Sequence, residues 1–234
     1  MAMEALLDIR DVHKSFDSLQ ALKGCSFAVG RGEILGVIGP NGSGKTTLFN
    51  IVAGFLRPDA GSLLFRGENI AGLPPYQIAR RGIGRTFQIT RIFPKMTLVE
   101  NLLVAARIAD PRARADEYLD LIGMSHLRDD YASDLSFGQQ KLLALMQVLM
   151  LDPALILLDE PAAGINPTLL KRLLELVHRL NEAGKTFMII EHNMDVVMQH
   201  CGRIVVLSLG EKIAEGAPAE VRADERVTAA YFGK

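Results

Sequence analysis

Eight consecutive residues, Gly39-Pro40-Asn41-Gly42-Ser43-Gly44-Lys45-Thr46, match the spacing G-x-x-x-x-G-K-[ST] directly after the apolar run Ile34 to Ile38. Gly39, Gly42 and Gly44 lack Cβ atoms, so the backbone there can curl with its N–H groups inward and approach an anion closely. The helix expected from Lys45 through Val52 adds its positive dipole end. Lys45 adds a point charge at the β- and γ-phosphates, the Thr46 hydroxyl is a candidate Mg²⁺ ligand, and Thr47 is the next residue of the same expected site. A Gly-rich turn before an ordinary helix is the plainer alternative. The complete match between strand and helix favours binding of a nucleoside triphosphate.

Such a loop calls for a carboxylate at the end of a neighbouring strand. Leu155 to Leu158 is an apolar run that leads straight into Asp159-Glu160. Asp159 is placed to hold Mg²⁺ through its water shell, and Glu160, one residue on, to accept a proton from an attacking water as general base. Two acids capping a turn is the alternative. The amide oxygen of Gln88 is a further candidate for Mg²⁺ or the water. His192 follows another apolar strand on the same ligand side, whereas His178 shares a polar helix face with Lys171, Glu175 and Glu182 and is expected to be solvated, like His13. His126 and His200 have no acid, Cys or second His at ligand spacing, so no metal site is assigned to them. Ser136, with Gln139 three residues on, forms a capping box, and that helix start is a second anion-seeking N-terminus.

Composition bounds the remaining possibilities. The chain has 234 residues, 49% hydrophobic and 23% charged, which suits a folded domain with a real core. Its 26 basic and 27 acidic residues sum to −1, so no global field holds nucleic acid or an anionic membrane surface. Cys25 and Cys201 form neither a disulfide framework nor a zinc motif and are expected as small core fillers in a reducing compartment. Glu4, Asp8, Arg10 and Asp11 make the opening stretch too polar for a signal peptide, and no apolar run reaches the ~18 residues of a membrane span. A soluble chain, recruited to a membrane only by a partner, is expected.

The elements that position these groups follow from periodicity and turn residues. Leu7, Ile9 and Val12 alternate with polar residues, and Cys25 to Val29 is a second short run, so two short strands are predicted before the buried strand Glu33 to Ile38. Pro58 to Gly61 and Arg66-Gly67 are turns around a short strand, Ser62 to Phe65, which makes a β-rich border. Signals between Ile89 and Met150 are mostly helical, with a capping box at Thr97 and Glu100 opening a segment predicted to run through Ala109. Asn166 as N-cap and Pro167 start a helix with an apolar face of leucines that Gly184 stops. Lys185 to Ile190 is the next strand, Met194 to His200 a short helix, and Arg203 to Leu207 and Lys212 to Ala214 two strands around a turn at Leu209 to Glu211.

Taken together, Gly39 to Thr46, Gln88, Leu135 to Gln139, Leu155 to Glu160 and His192 resemble the motif set of ABC-type ATPase subunits over essentially the whole chain. The resemblance implies an α/β, RecA-like P-loop core with a mainly parallel sheet, an antiparallel β border and an inserted helical subdomain. It implies one domain, with 1–88 and 152–234 as core and 89–151 as the helical subdomain. It also implies ATP and Mg²⁺, and a head-to-tail dimer, homomeric or heteromeric, in which Ser136, Gly138 and Gln139 meet the γ-phosphate bound by the other subunit. Phe16 would stack on adenine, Gln88 would couple the site to transmembrane permease subunits, and His192 would hold the γ-phosphate. Phe137 stands where the commonest signature has Gly, and Asn166 where an Asp is usual. Those variants, with Arg85-Thr86-Phe87-Gln88, look like the subgroup serving branched-chain amino acid importers. The resemblance therefore implies a motor subunit on the cytoplasmic face of the membrane, served indirectly by a solute-binding protein. The membrane contact is expected just after Gln88, at Ile92, Phe93, Met96 and Leu98; the alternative is that these residues pack the core of the helical insertion. The alternative is a soluble ABC-type ATPase acting on a ribosomal or nucleic-acid complex.

Overall fold

The computed structural model describes residues 4–86 and 92–232. The chain opens with a long antiparallel hairpin, β1 (Ala5–Phe16) and β2 (Leu19–Gly30), before it enters β3 (Ile34–Ile38) and helix α1 (Lys45–Val52). β4 (Ala60–Phe65) and β5 (Glu68–Asn69) complete a four-stranded sheet ordered β2-β1-β4-β5. The two short strands expected in the opening segment are thus strands of 12 residues each. Asp11 explains the difference: its φ of 49° accompanies a register shift between Ile9 and Val12, so the alternation breaks while the pairing continues.

After α2 (Pro75–Arg81) and β6 (Ile83–Arg85), the chain forms α3 (Leu98–Ala105), α4 (Pro111–Leu121) and α5 (Phe137–Leu149). The expected capping box at Thr97 and Glu100 is formed, but α3 ends at Ala105 rather than Ala109. Ala106 turns extended and the Arg107 N–H donates to the Met150 carbonyl at 2.9 Å, which draws the chain out of the helix. Asp110 then caps α4, accepting from Ala113 N–H, with Pro111 as first helical residue.

β7 (Leu155–Asp159), α6 (Pro167–Glu182), β8 (Thr186–Ile190), α7 (Met194–His200), β9 (Arg203–Ser208), β10 (Glu211–Gly216), α8 (Pro218–Ala223) and α9 (Glu225–Phe232) follow. The second sheet has six strands ordered β10-β9-β3-β8-β7-β6, parallel except for the terminal β9–β10 pair. Every residue of β3, β7 and β8 is buried. Alternation is nevertheless present. Ile34, Ile38, Ile156, Leu158 and Ile189 join the core beneath α3 to α6, while Leu35, Val37, Leu155, Leu157 and Met188 join the core shared with α1 and the antiparallel sheet. Two apolar layers on one sheet are what turn its strands into unbroken apolar runs. The strands β3, β7 and β8 deliver Gly39, Glu160 and Glu191-His192 to one edge, where open α/β sheets hold their ligands.

Candidate functional site

The phosphate loop is held between β3 and α1 by its own backbone and by the hairpins around it. Gly44 has φ 102°, and a Cβ there would meet the Ala21 carbonyl of β2 at 2.6 Å, so only glycine fits. No side chain caps α1. Its first N–H groups are therefore available to an anion. Lys45 is 5% exposed, and its ammonium folds back on the loop, donating to Gly39 O (2.8 Å), Pro40 O (3.0 Å) and Ser43 Oγ (3.3 Å). Burial lowers its pKa, opposed by the charges of Glu160 and Asp159. Residues 41–47 line a cavity of about 470 Å³ together with Phe16, Leu19, Gln20, Ala21, Lys23, Glu160, His192 and Leu209. That volume suits a small-molecule ligand.

The acidic pair divides. Asp159 ends β7 at 6% exposure and pairs with Arg85, Nη2 to Oδ2 at 2.7 Å, while Arg85 Nη1 donates to Asn50 Oδ1 of α1 at 2.6 Å. Glu160 turns away with φ 46°, a left-handed conformation that glutamate seldom adopts, and its Oε1 lies 2.8 Å from His192 Nε2. A hydroxyl at Thr46 and a carboxylate at Asp159 are the hard oxygen donors that Mg²⁺ takes. Thr46 faces the cavity, and Asp159 gives one oxygen to Arg85.

Three residues to which the sequence assigned no role in the site hold this edge together. Lys141, on the core side of α5 at 8% exposure, donates to the carbonyls of Glu160 (3.0 Å), Pro161 (3.3 Å) and Ala163 (2.5 Å). Glu191 is 3% exposed, with Oε1 accepting from Ala162 N–H at 2.6 Å and Oε2 from the N–H groups of His192 (3.2 Å) and Asn193 (3.4 Å). Burial raises its pKa, and those backbone donors oppose the rise. Arg85 is the third. The available signals were a cation among the buried leucines of α5 and a Glu-His doublet that repeats the Asp-Glu pattern at the end of an apolar strand.

Other expected residues lie elsewhere. Gln88 falls outside the described residues. Ser136 and Gln139 make the anticipated capping box: Gln139 N–H donates to Ser136 Oγ at 3.4 Å, and Ser136 N–H to Gln139 Oε1 at 2.9 Å. Neither they nor Gly138 line the 470 Å³ cavity. Gly138 is buried against α6, where an added Cβ would come within 2.2 Å of Leu169 Cδ2, so helix packing alone already demands glycine there. His178, read as solvated, and His200, read as lacking a partner at ligand spacing, instead meet at 2.9 Å, Nε2 to Nδ1, one from α6 and the other from α7. Burial and its neighbour His178 lower the pKa of His200.

Comparison with known proteins adds a second line of observation. Residues 22–163 match the ABC transporter family, and residues 211–234 match a segment described as branched-chain amino acid ATP-binding cassette transporter. The probable branched-chain amino acid transport ATP-binding protein LivG of Archaeoglobus fulgidus is 39% identical over 245 residues, covering 97% of this chain and 95% of that protein. The high-affinity branched-chain amino acid transport ATP-binding protein LivG of Escherichia coli is 38% identical, covering 99% of each. A solved ADP conformation of an ATP-binding cassette of an ABC transporter superposes with a TM-score of 0.91 at 34% identity, over 99% of this chain and 100% of that one.

Proposed function

We propose that this chain, which belongs to the ABC transporter family and is one of its ATP-hydrolysing subunits, drives import of branched-chain or other hydrophobic amino acids through separate membrane subunits. The observation that carries the mechanism is a separation. One chain brings the phosphate loop, Glu160 and His192 to a single cavity, while the capped N-terminus of α5 at Ser136 stays outside it. A second copy or a paralogue, arranged head to tail, would bring its own Ser136, Gly138 and Gln139 over that cavity. Closure would complete the site and hydrolysis would reopen it.

Within the site the roles follow from placement. Residues 41–47 and Lys45 hold the phosphates of ATP, with Gly39 and Pro40 shaping the loop through their carbonyls. Thr46 and Asp159, with Gln88, would hold Mg²⁺, which supplies charge neutralisation on the β- and γ-oxygens. Glu160 takes the proton of the attacking water, and His192 orients its carboxylate and faces the γ-phosphate. Phe16, 42% exposed at the cavity rim, offers a ring to the base.

The membrane contact is a groove of about 190 Å³ lined by residues that include Arg85, Thr86, Phe93, Ala105 and Gln147. Phe93 is 49% exposed, Ile92 and Met96 are half-buried, and Leu98 is fully buried core, so the apolar contact expected after Gln88 reduces mainly to Phe93. No helix among the described residues is long and apolar enough to cross a membrane, so docking at this groove on the cytoplasmic face is what would localise the subunit. The alternative of a nucleic-acid machine gains nothing from a net charge of −1.

The test is purification of the complex from native membranes and reconstitution with its solute-binding protein in proteoliposomes. ATP-dependent uptake of labelled leucine, isoleucine or valine is expected. Uptake of another solute alone would overturn the substrate, and co-purification with ribosomes or nucleic acid would overturn the transport reading. For the shared site, Ser136→Arg subunits mixed with Lys45→Ala subunits are expected to recover at most one competent site per dimer.

A further inference from the structure

The turn from β9 to β10 carries a large apolar side chain where turn geometry disfavours one. Leu209 and Gly210 join the two strands with φ values of 49° and 87°. Two successive positive φ angles in a two-residue hairpin loop favour Asn, Asp or Gly at the first position, because a branched side chain crowds its own backbone there. Leu209 is nonetheless present and 76% exposed. Strain and exposed apolar surface coincide at one residue, as they do where a ligand is to be covered.

The turn is also fastened to the phosphate loop. Gly210 N–H donates to Ser43 O at 3.2 Å, and Gly210 O accepts from Lys23 N–H of β2 at 2.9 Å. Leu209 therefore keeps a fixed position beside the loop and lines the same 470 Å³ cavity as Leu19, 66% exposed, and Phe16, 42% exposed. One face of the Phe16 ring is taken by Lys14, whose Nζ lies 5.6 Å from the ring centroid. The three apolar groups come from the end of β1, the start of β2 and the β9–β10 turn, three points around the rim of one cavity.

We propose that Leu209, together with Leu19 and Phe16, forms the apolar clamp that covers the purine base of the bound nucleoside triphosphate. This deepens, and rests on, the reading of the cavity as the ATP site. The phosphates are held by backbone N–H groups and Lys45, which recognise charge. The base is held by contact area, to which Leu209 adds beside Phe16 and Leu19.

The experiment compares MgATP with magnesium tripolyphosphate, which has the phosphates but no base, by titration calorimetry on the intact chain. Leu209→Asn suits the turn, so the nucleotide-free variant is expected to melt at or above the wild-type temperature. Its ATP dissociation constant is expected to rise roughly five- to tenfold, the scale of losing one buried leucine contact, with tripolyphosphate binding unchanged. Unchanged ATP affinity overturns the proposal. An equal loss for tripolyphosphate also overturns it, since the turn would then only prop the phosphate loop. Lys45→Ala is expected to weaken both ligands; if it weakens neither, the assignment of the cavity to ATP fails, and the role of Leu209 with it.

Discussion

Glu160 Oε1 and His192 Nε2 stand 2.8 Å apart at the ends of adjacent parallel strands. The register that pairs Asp159 with Ile190 brings both strands to the same sheet edge, from which Glu160, one residue beyond β7, and His192, two residues beyond β8, both leave. The Glu160 N–H donates to Ile190 O at 3.0 Å, which helps hold its left-handed backbone in place. Glu160→Gln is expected to retain ATP binding while phosphate release falls about 10²- to 10⁴-fold, the range of general-base catalysis. His192→Ala should retain binding with a smaller loss in kcat, about tenfold. Equilibrium ATP binding and a phosphate-release assay separate the two effects, and wild-type turnover in Glu160→Gln would refute the base assignment.

The Arg85–Asp159 pair has side-chain exposures of 7% and 6% and also engages Asn50, so it links β6, β7 and α1. Arg85→Ala leaves a buried carboxylate without that countercharge, a loss of about 3–5 kcal/mol. MgATP should restore part of it, because Mg²⁺ supplies positive charge to Asp159. The expected reading in thermal denaturation is a lower Tm without ligand and a larger rise on adding MgATP than in the wild type. Equal rises would show that Asp159 does not sense the metal.

Lys141 ties α5 to the segment following Glu160 through three carbonyls. Lys141→Met keeps the buried stem but removes the donors. Stability is expected to fall by about 1–3 kcal/mol. If the bond positions Glu160, kcat should drop while the ATP dissociation constant stays within about twofold. A purely structural lysine would lower Tm and leave kcat intact.

Phe93 is the exposed apolar residue of the groove beside Arg85 and Thr86. Phe93→Asp should leave ATPase activity of the isolated subunit near normal while pull-down of membrane subunits and transport decline. Unfolding of the isolated variant, or unaffected pull-down, would place Phe93 in the core or on plain surface.

Burial pushes the Cys25 and Cys201 thiols up to about 12. Thiolate, the reactive form, is then negligible at pH 8. Ellman's reagent at that pH should find no reactive thiol in the native protein and two in guanidinium chloride. Rapid labelling of the native fold would place a cysteine nearer the surface.

What the sequence determined is what depends on neighbours along the chain. The phosphate loop, the Asp159-Glu160 doublet, the capping boxes at Thr97 and Ser136 and the Asn166-Pro167 helix start are local patterns, and the structure forms each as the local rules dictate. Apolar runs at β3, β7 and β8 announced strands covered on both faces. Tertiary structure decided what depends on neighbours across space. The bulge at Asp11 hid the length of β1, and the Arg107–Met150 bond ended α3 early. Arg85 reaches Asp159 across 74 positions, Lys141 reaches the Glu160 loop from another helix, and His178 finds His200. Leu209 lines the cavity beside the phosphate loop only because β9 lies beside β3. Strand order and helix packing create these contacts, and spacing along a chain holds no record of which strand will lie beside which.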